Sequence, residues 1–244
     1  MWQTFTERIW GEKMKRSTIF SLLSLLVLIP ATLFLGTQLK GRWHYLTSTL
    51  VILEAMLPFF FTFESRRPQA RELVIIAVLS ALAVAGRVAF PLPNFKAITG
   101  IVMIAGMAFG PQAGFMTGAI SAFASNFFYA QGPWTPWQML AYGMGGFLAG
   151  LFFANCRIRP QLAWIARTVF AFLGVLLIVG PLLDTCTIFT TGSRLSWKFA
   201  AAVYLAGLPH NVIHALSCAA TVLLLGSPLL AKLNRIKTKY GLLG

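Results

Sequence analysis

Two histidines stand one helical turn apart in His210-Asn211-Val212-Ile213-His214, in the middle of a long apolar stretch. That spacing places both imidazoles on one helix face, where they could clamp a metal ion. Zinc hydrolases carry a glutamate between the two histidines, and this sequence has none there. A polar pair that lines a cavity or bonds to neighbouring helices is therefore favoured, and an intramembrane metal-dependent enzyme using His210 and His214 is the alternative.

A second group of polar residues lies in Ser125-Asn126-Phe127-Phe128-Tyr129-Ala130-Gln131-Gly132-Pro133-Trp134-Thr135-Pro136-Trp137-Gln138. Aromatic residues at this density form an interfacial belt in many membrane proteins. The amides Asn126, Gln131 and Gln138 point further, because an amide anchors directed hydrogen bonds in an otherwise apolar pocket.

Other chemistry is missing. No GxxxxGK[ST] phosphate loop occurs, so the chain does not hydrolyse ATP alone. Ionisable residues at or near apolar stretches are limited to Glu54, Arg87, Asp184, His210 and His214, few for an ion-coupled carrier that needs a relay. Cys156, Cys186 and Cys218 are odd in number, widely spaced and read as small hydrophobes. The sequence assigns no catalytic residue, no metal ligand and no cofactor.

The elements that position these residues must be membrane helices. Apolar residues make up 57% of the 244 and charged residues 11%, more apolar than any soluble core requires. Apolar spans are expected at about 18–36, 44–63, 72–90, 97–109, 112–129, 136–154, 163–183 and 198–226. The first follows Lys13 and Arg16 as a signal peptide would, yet no cleavage pattern precedes Leu39-Lys40-Gly41, so an uncleaved span is expected.

The net charge of +14 sits in short connections and not along one face, which argues for topology and against nucleic acid. With the N-terminus inside, fourteen basic residues fall inside: Arg8, Lys13, Lys15, Arg16, Arg66, Arg67, Arg71, Arg157, Arg159, Arg167, Lys232, Arg235, Lys237 and Lys239. Lys40, Arg42, Arg87, Lys96, Arg194 and Lys198 fall outside. The fold class expected is an all-α polytopic transmembrane bundle of about eight spans with both termini inside, in the cell membrane.

Two packing faces are also legible. Gly106, Gly110, Gly114 and Gly118 recur every fourth residue around a tight turn at Gly110-Pro111, which lets helix backbones approach closely. Ala77, Ala81 and Ala85 line one face of the third span and admit another helix, from this chain or a partner.

From about residue 70 to 225 the sequence resembles the substrate-binding S components of energy-coupling-factor (ECF) transporters. The likeness is carried by Ala70-Arg71-Glu72-Leu73 leading into the alanine ladder, by Phe109-Gly110-Pro111-Gln112-Ala113-Gly114-Phe115, by Ser125-Asn126-Phe127-Phe128, and by Gln131 to Met139. Within that family it looks most like the cobalamin-specific member. The resemblance implies a six-helix core at 69–228, preceded by two additional N-terminal spans within 1–68 and followed by a basic cytoplasmic tail at 229–244. It implies capture of a vitamin-like small molecule, cobalamin or a related corrinoid being favoured over another vitamin, and docking on a membrane coupling subunit with two ATPases. It further implies a subunit that topples in the lipid bilayer to release its cargo inside. Ala77 and Ala81 match the family's docking motif, with Ala85 extending it. The substrate is then expected among Phe90, Asn94, Asn126, Phe128, Tyr129, Gln131, Trp134, Trp137, Gln138, Asp184, Trp197, Tyr204, His210 and Asn211. A noncatalytic scaffold with no small-molecule ligand is a third reading.

Overall fold

The computed structural model describes residues 23, 27–38, 43–65, 68–90, 92–93, 95–154, 156, 160–191 and 196–241, and contains helices and no strand among them. In chain order these are α1 (Ile29–Gln38), α2 (Trp43–Ser65), α3 (Ala70–Val88), α4 (Ile98–Phe109), α5 (Pro111–Tyr129), α6 (Thr135–Phe153), α7 (Pro160–Gly174), a π-helical turn (Val175–Val179), α8 (Gly180–Thr190) and α9 (Trp197–Tyr240). Helices α7 and α8 continue through the π turn as one rod, so six helical rods follow residue 68. The all-α polytopic bundle read from the sequence is the fold observed. The flanking residues Lys13, Arg16, Leu39, Lys40 and Gly41, and with them the question of a cleaved leader, lie outside the described residues.

Among the described residues three helical stretches are long and apolar enough to cross a bilayer on their own: Leu46–Ser65, Leu162–Thr190 and Trp197–Tyr240. The short α4 has 12 residues, reaching about 18 Å. All 12 are buried, which explains its apolar character on every side: it is the central post of the bundle and meets protein all round. Helix α9 continues beyond the span expected to end near 226. Leu230 and Leu233 are buried, and Lys237 donates toward the Ala108 carbonyl oxygen at 3.5 Å, tying this extension to the end of α4.

Lipid gives helices no hydrophobic reason to associate, so close contact must come from small residues. The fourfold glycine series finds its partner in α6. A Cβ on Gly106 would stand 2.1 Å from the Gly146 carbonyl oxygen, one on Gly114 2.3 Å from the same atom, and one on Gly118 2.5 Å from Tyr142 backbone. Gly150 closes the seam against Gly110 and Pro111. Gly110 turns the chain between α4 and α5 at φ +93°, a value that glycine alone adopts freely.

The N-terminal pair is packed onto this core. Phe59 of α2 stacks on Phe115 of α5 at 4.0 Å and meets Phe147 of α6 edge-on at 5.1 Å. Ile52 and Met56 join Phe115, Trp137 and Cys186 in the same buried cluster. Thr32 of α1 donates to Glu54 of α2 at 2.6 Å, which gives that carboxylate a partner inside the apolar pair.

Candidate substrate-binding site

The ends of α3 and α5 and the starts of α4 and α6 meet, beside Leu183 of α8 and His214 of α9, toward the side of the bundle that the charge distribution assigns to the exterior. A cavity of about 210 Å³ opens there. Arg87, Lys96 and His214 line it together with Tyr129, Tyr142, Gln138 and Leu183.

Arg87, in the last turn of α3, is 9% exposed. One guanidinium nitrogen, Nη1, donates to Asn126 Oδ1 at 2.9 Å and also to Ser125 Oγ, both near the end of α5. Among the described residues its Nε and Nη2 have no acceptor, and no carboxylate is among its partners. The guanidinium stands 4.8 Å from the centre of the Tyr129 ring and 5.9 Å from that of Tyr142. A buried cation is costly unless paired, and here it leans on neutral dipoles and two aromatic faces.

The surrounding shell is stiff. Asn126 is fully buried and uses its other end to donate to Thr135 Oγ1 at 3.0 Å. Thr135 in turn donates to Gln131 Oε1 at 2.8 Å and accepts from the Gly132 N–H at 3.2 Å, so it knots the turn between α5 and α6. Ala130 in that turn has φ +72°, a strain of about 1–3 kcal/mol for an L residue. The Tyr129 hydroxyl donates to the Arg87 carbonyl oxygen at 3.0 Å. Lys96 is held by the Phe90 carbonyl oxygen and lies 5.5 Å from the same Tyr129 ring. Ser217 of α9 fixes the Lys96 backbone by donating to its carbonyl oxygen at 2.8 Å. His214 Nε2 and Thr99 Oγ1 are 2.8 Å apart, which orients the imidazole at the cavity wall. Gln138 Oε1 is buried at the cavity with no hydrogen-bond partner.

Of the fourteen residues expected to hold substrate, Tyr129 and Gln138 line the cavity. Asn126 stands behind it and positions Arg87. Gln131 and Trp134 brace the turn, Gln131 by donating to the Phe123 carbonyl oxygen at 2.9 Å and Trp134 to that of Ala130 at 3.3 Å. Phe90 lends its carbonyl oxygen to Lys96 while its ring meets Phe95. Trp137 is buried against Phe189 on the side covered by α2, away from the cavity lining. Asp184 and Asn211 bond to each other at 2.6 Å, and Tyr204 to Thr185 at 2.8 Å, linking α8 to α9 instead of facing the cavity. Phe128 and Trp197 are exposed, at 68% and 91%, and His210 is exposed as well. Asn94 lies outside the described residues.

The histidine pair thus divides: His214 turns into the bundle and His210 outward. Among the described residues no three His, Cys, Asp or Glu side chains converge on a point that would hold a metal ion. Ala77, Ala81 and Ala85 are exposed on α3, flanked by exposed Val74, Val78 and Leu82.

Sequence reasoning did not single out Arg87, Lys96, Tyr142 and Leu183 as cavity residues, while His214, read there as one of a polar pair that lines a cavity or bonds to neighbouring helices, does line the cavity. The signal for Arg87 was present. An arginine inside an apolar helix, with no acid a turn away, has a functional reason to be there more often than a topological one.

Compared with known families, the chain matches the family described as ECF-type riboflavin transporter, S component, over residues 68–235. The chain belongs to this family. It is the substrate-capture subunit of an ECF vitamin transporter, a multi-pass protein of the cell membrane and not an enzyme. The match begins just before α3 and leaves α1 and α2 outside it. No curated protein and no solved structure matches the chain.

Proposed function

We propose that this S component captures a flavin on the outer face of the membrane and passes it inward through a coupling subunit driven by two ATPases. The observation that carries the reading is the unpartnered Gln138 oxygen in a cavity that also holds the free donors of Arg87 and two phenol rings. The isoalloxazine ring of a flavin is planar, and its imide edge presents two carbonyl acceptors around one N–H donor. Gln138 would accept from that N–H, Arg87 would donate to a carbonyl, and Tyr129 or Tyr142 would pack on the ring face. The name of the matched family supports the same vitamin.

Cobalamin or a related corrinoid is the second reading. What favours it is the exposure of the large aromatic side chains Phe90, Phe128 and Trp134, in the segments that follow α3, end α5 and precede α6. Against it stands size, because a cavity of about 210 Å³ is on the scale of a fused ring system and not of a macrocycle with its side arms. A corrinoid would have to rest on those aromatic side chains with only one arm inserted.

Docking would use the exposed alanine face of α3, whose small side chains let a partner helix come close. The start of the family match at residue 68 supports reading α1 and α2 as additional N-terminal spans before the core.

Purified protein in phosphatidylcholine nanodiscs, titrated with riboflavin, should quench flavin fluorescence with one-to-one stoichiometry. Retention of cobalamin, read by its visible absorbance, with no effect on flavin fluorescence would replace the flavin by the corrinoid.

A further inference from the structure

The cavity carries an excess of positive charge that a neutral vitamin does not use. Arg87 and Lys96 both face it, at 4.8 and 5.5 Å from the centre of one ring, that of Tyr129. No carboxylate lines it among the described residues, and the nearby Asp184 is engaged by Asn211. Two cations over one aromatic ring at a lipid-embedded site repel each other with little water to screen them. Ser125, Asn126, Tyr129 and the Phe90 carbonyl oxygen orient the pair without neutralising it. Arg87 is nine-tenths buried and keeps Nε and Nη2 free, a fork suited to two oxygens of one anion.

We infer that the preferred cargo carries an anionic group, a phosphate or a carboxylate, seated between Arg87 and Lys96. This deepens the flavin reading and rests on the same cavity: the favoured flavin is the phosphorylated one, with its negatively charged tail toward Lys96 at the mouth. An anionic lipid headgroup has the same chemistry as a phosphorylated solute, and the two sources separate in experiment.

The test measures affinity for matched neutral and anionic pairs in phosphatidylcholine nanodiscs: riboflavin with flavin mononucleotide, pyridoxal with pyridoxal phosphate, and nicotinamide with nicotinate. In whichever pair binds, the anionic member should bind at least tenfold tighter. Lys96→Gln should bring the two members within about threefold, and Arg87→Gln should do the same where it folds; both steps are of the size expected for one charge-assisted hydrogen bond. Equal affinity of riboflavin and its phosphate overturns the inference and leaves the flavin reading standing. Anionic preference in another pair, with no binding of either flavin, removes the flavin and keeps the anion. If no pair binds, or if phosphatidylglycerol in the disc abolishes the preference by occupying the site, the inference is overturned.

Discussion

The two ends of this bundle solve opposite problems. At the Gly110 end, α4, α5 and α6 approach until backbone touches backbone, with Gly106, Gly114 and Gly146 leaving no room for a methyl group. At the Arg87 end, the same helices part around a cavity whose polar groups are only partly satisfied. Packing in lipid is won by removing side chains, whereas binding requires side chains held apart at a fixed distance. The glycine seam lets the polar end stay open: helices clamped at one end need no contact at the other.

The comparison breaks most completely at the seam. Gly146→Val should give no folded protein, because a Cβ at this position already falls 2.3 Å from the Gly114 carbonyl oxygen. Gly146→Ala should cost about 1–3 kcal/mol, measured as a lowered melting temperature in detergent. Gly226→Ala is the control: its nearest neighbour is a Val222 methyl 3.5 Å away on the same helix, so stability should hold or rise by up to about 1 kcal/mol. If Gly146→Ala were as harmless as Gly226→Ala, the seam would not be what holds the helices together.

A second variant separates capture from delivery. Ala81→Trp places bulk on the exposed face of α3, at a residue that does not line the cavity, so vitamin uptake by cells should fall to background while binding by the purified protein stays unchanged. Normal uptake would remove this face from the docking interface.

The smallest effect is expected at the open end. Gln138→Leu deletes an acceptor that has no partner among the described residues and should weaken flavin binding about tenfold, the worth of one hydrogen bond near 1.4 kcal/mol. Stability should not fall, since a buried polar atom without a partner is lost with it. An unaltered flavin dissociation constant would mean that Gln138 does not read the ligand.

The aromatic face of α2 shows how far a sequence pattern reaches. From sequence the span at 44–63 has no assigned role, yet its Phe59 stacks on Phe115 of α5 and Phe60 meets the same ring edge-on. In a soluble helix the apolar stripe marks the buried side. In a membrane helix both sides are apolar, so the side that meets protein is hidden from the sequence.

The sequence by itself determined the helical, lipid-soluble architecture, the glycine spacing that permits close approach, the spacing of the alanine ladder and the S-component class. These depend on composition and on neighbours along one helix, which the linear order contains. Only the tertiary structure decided that Arg87 would meet Asn126 across 39 residues, and His214 meet Thr99 across 115. It also decided that Tyr129 and Gln138 would face the cavity while Trp137 turned toward α2. The physical reason is that a buried polar group must find its partner on another helix, and the sequence does not say which helix stands beside it.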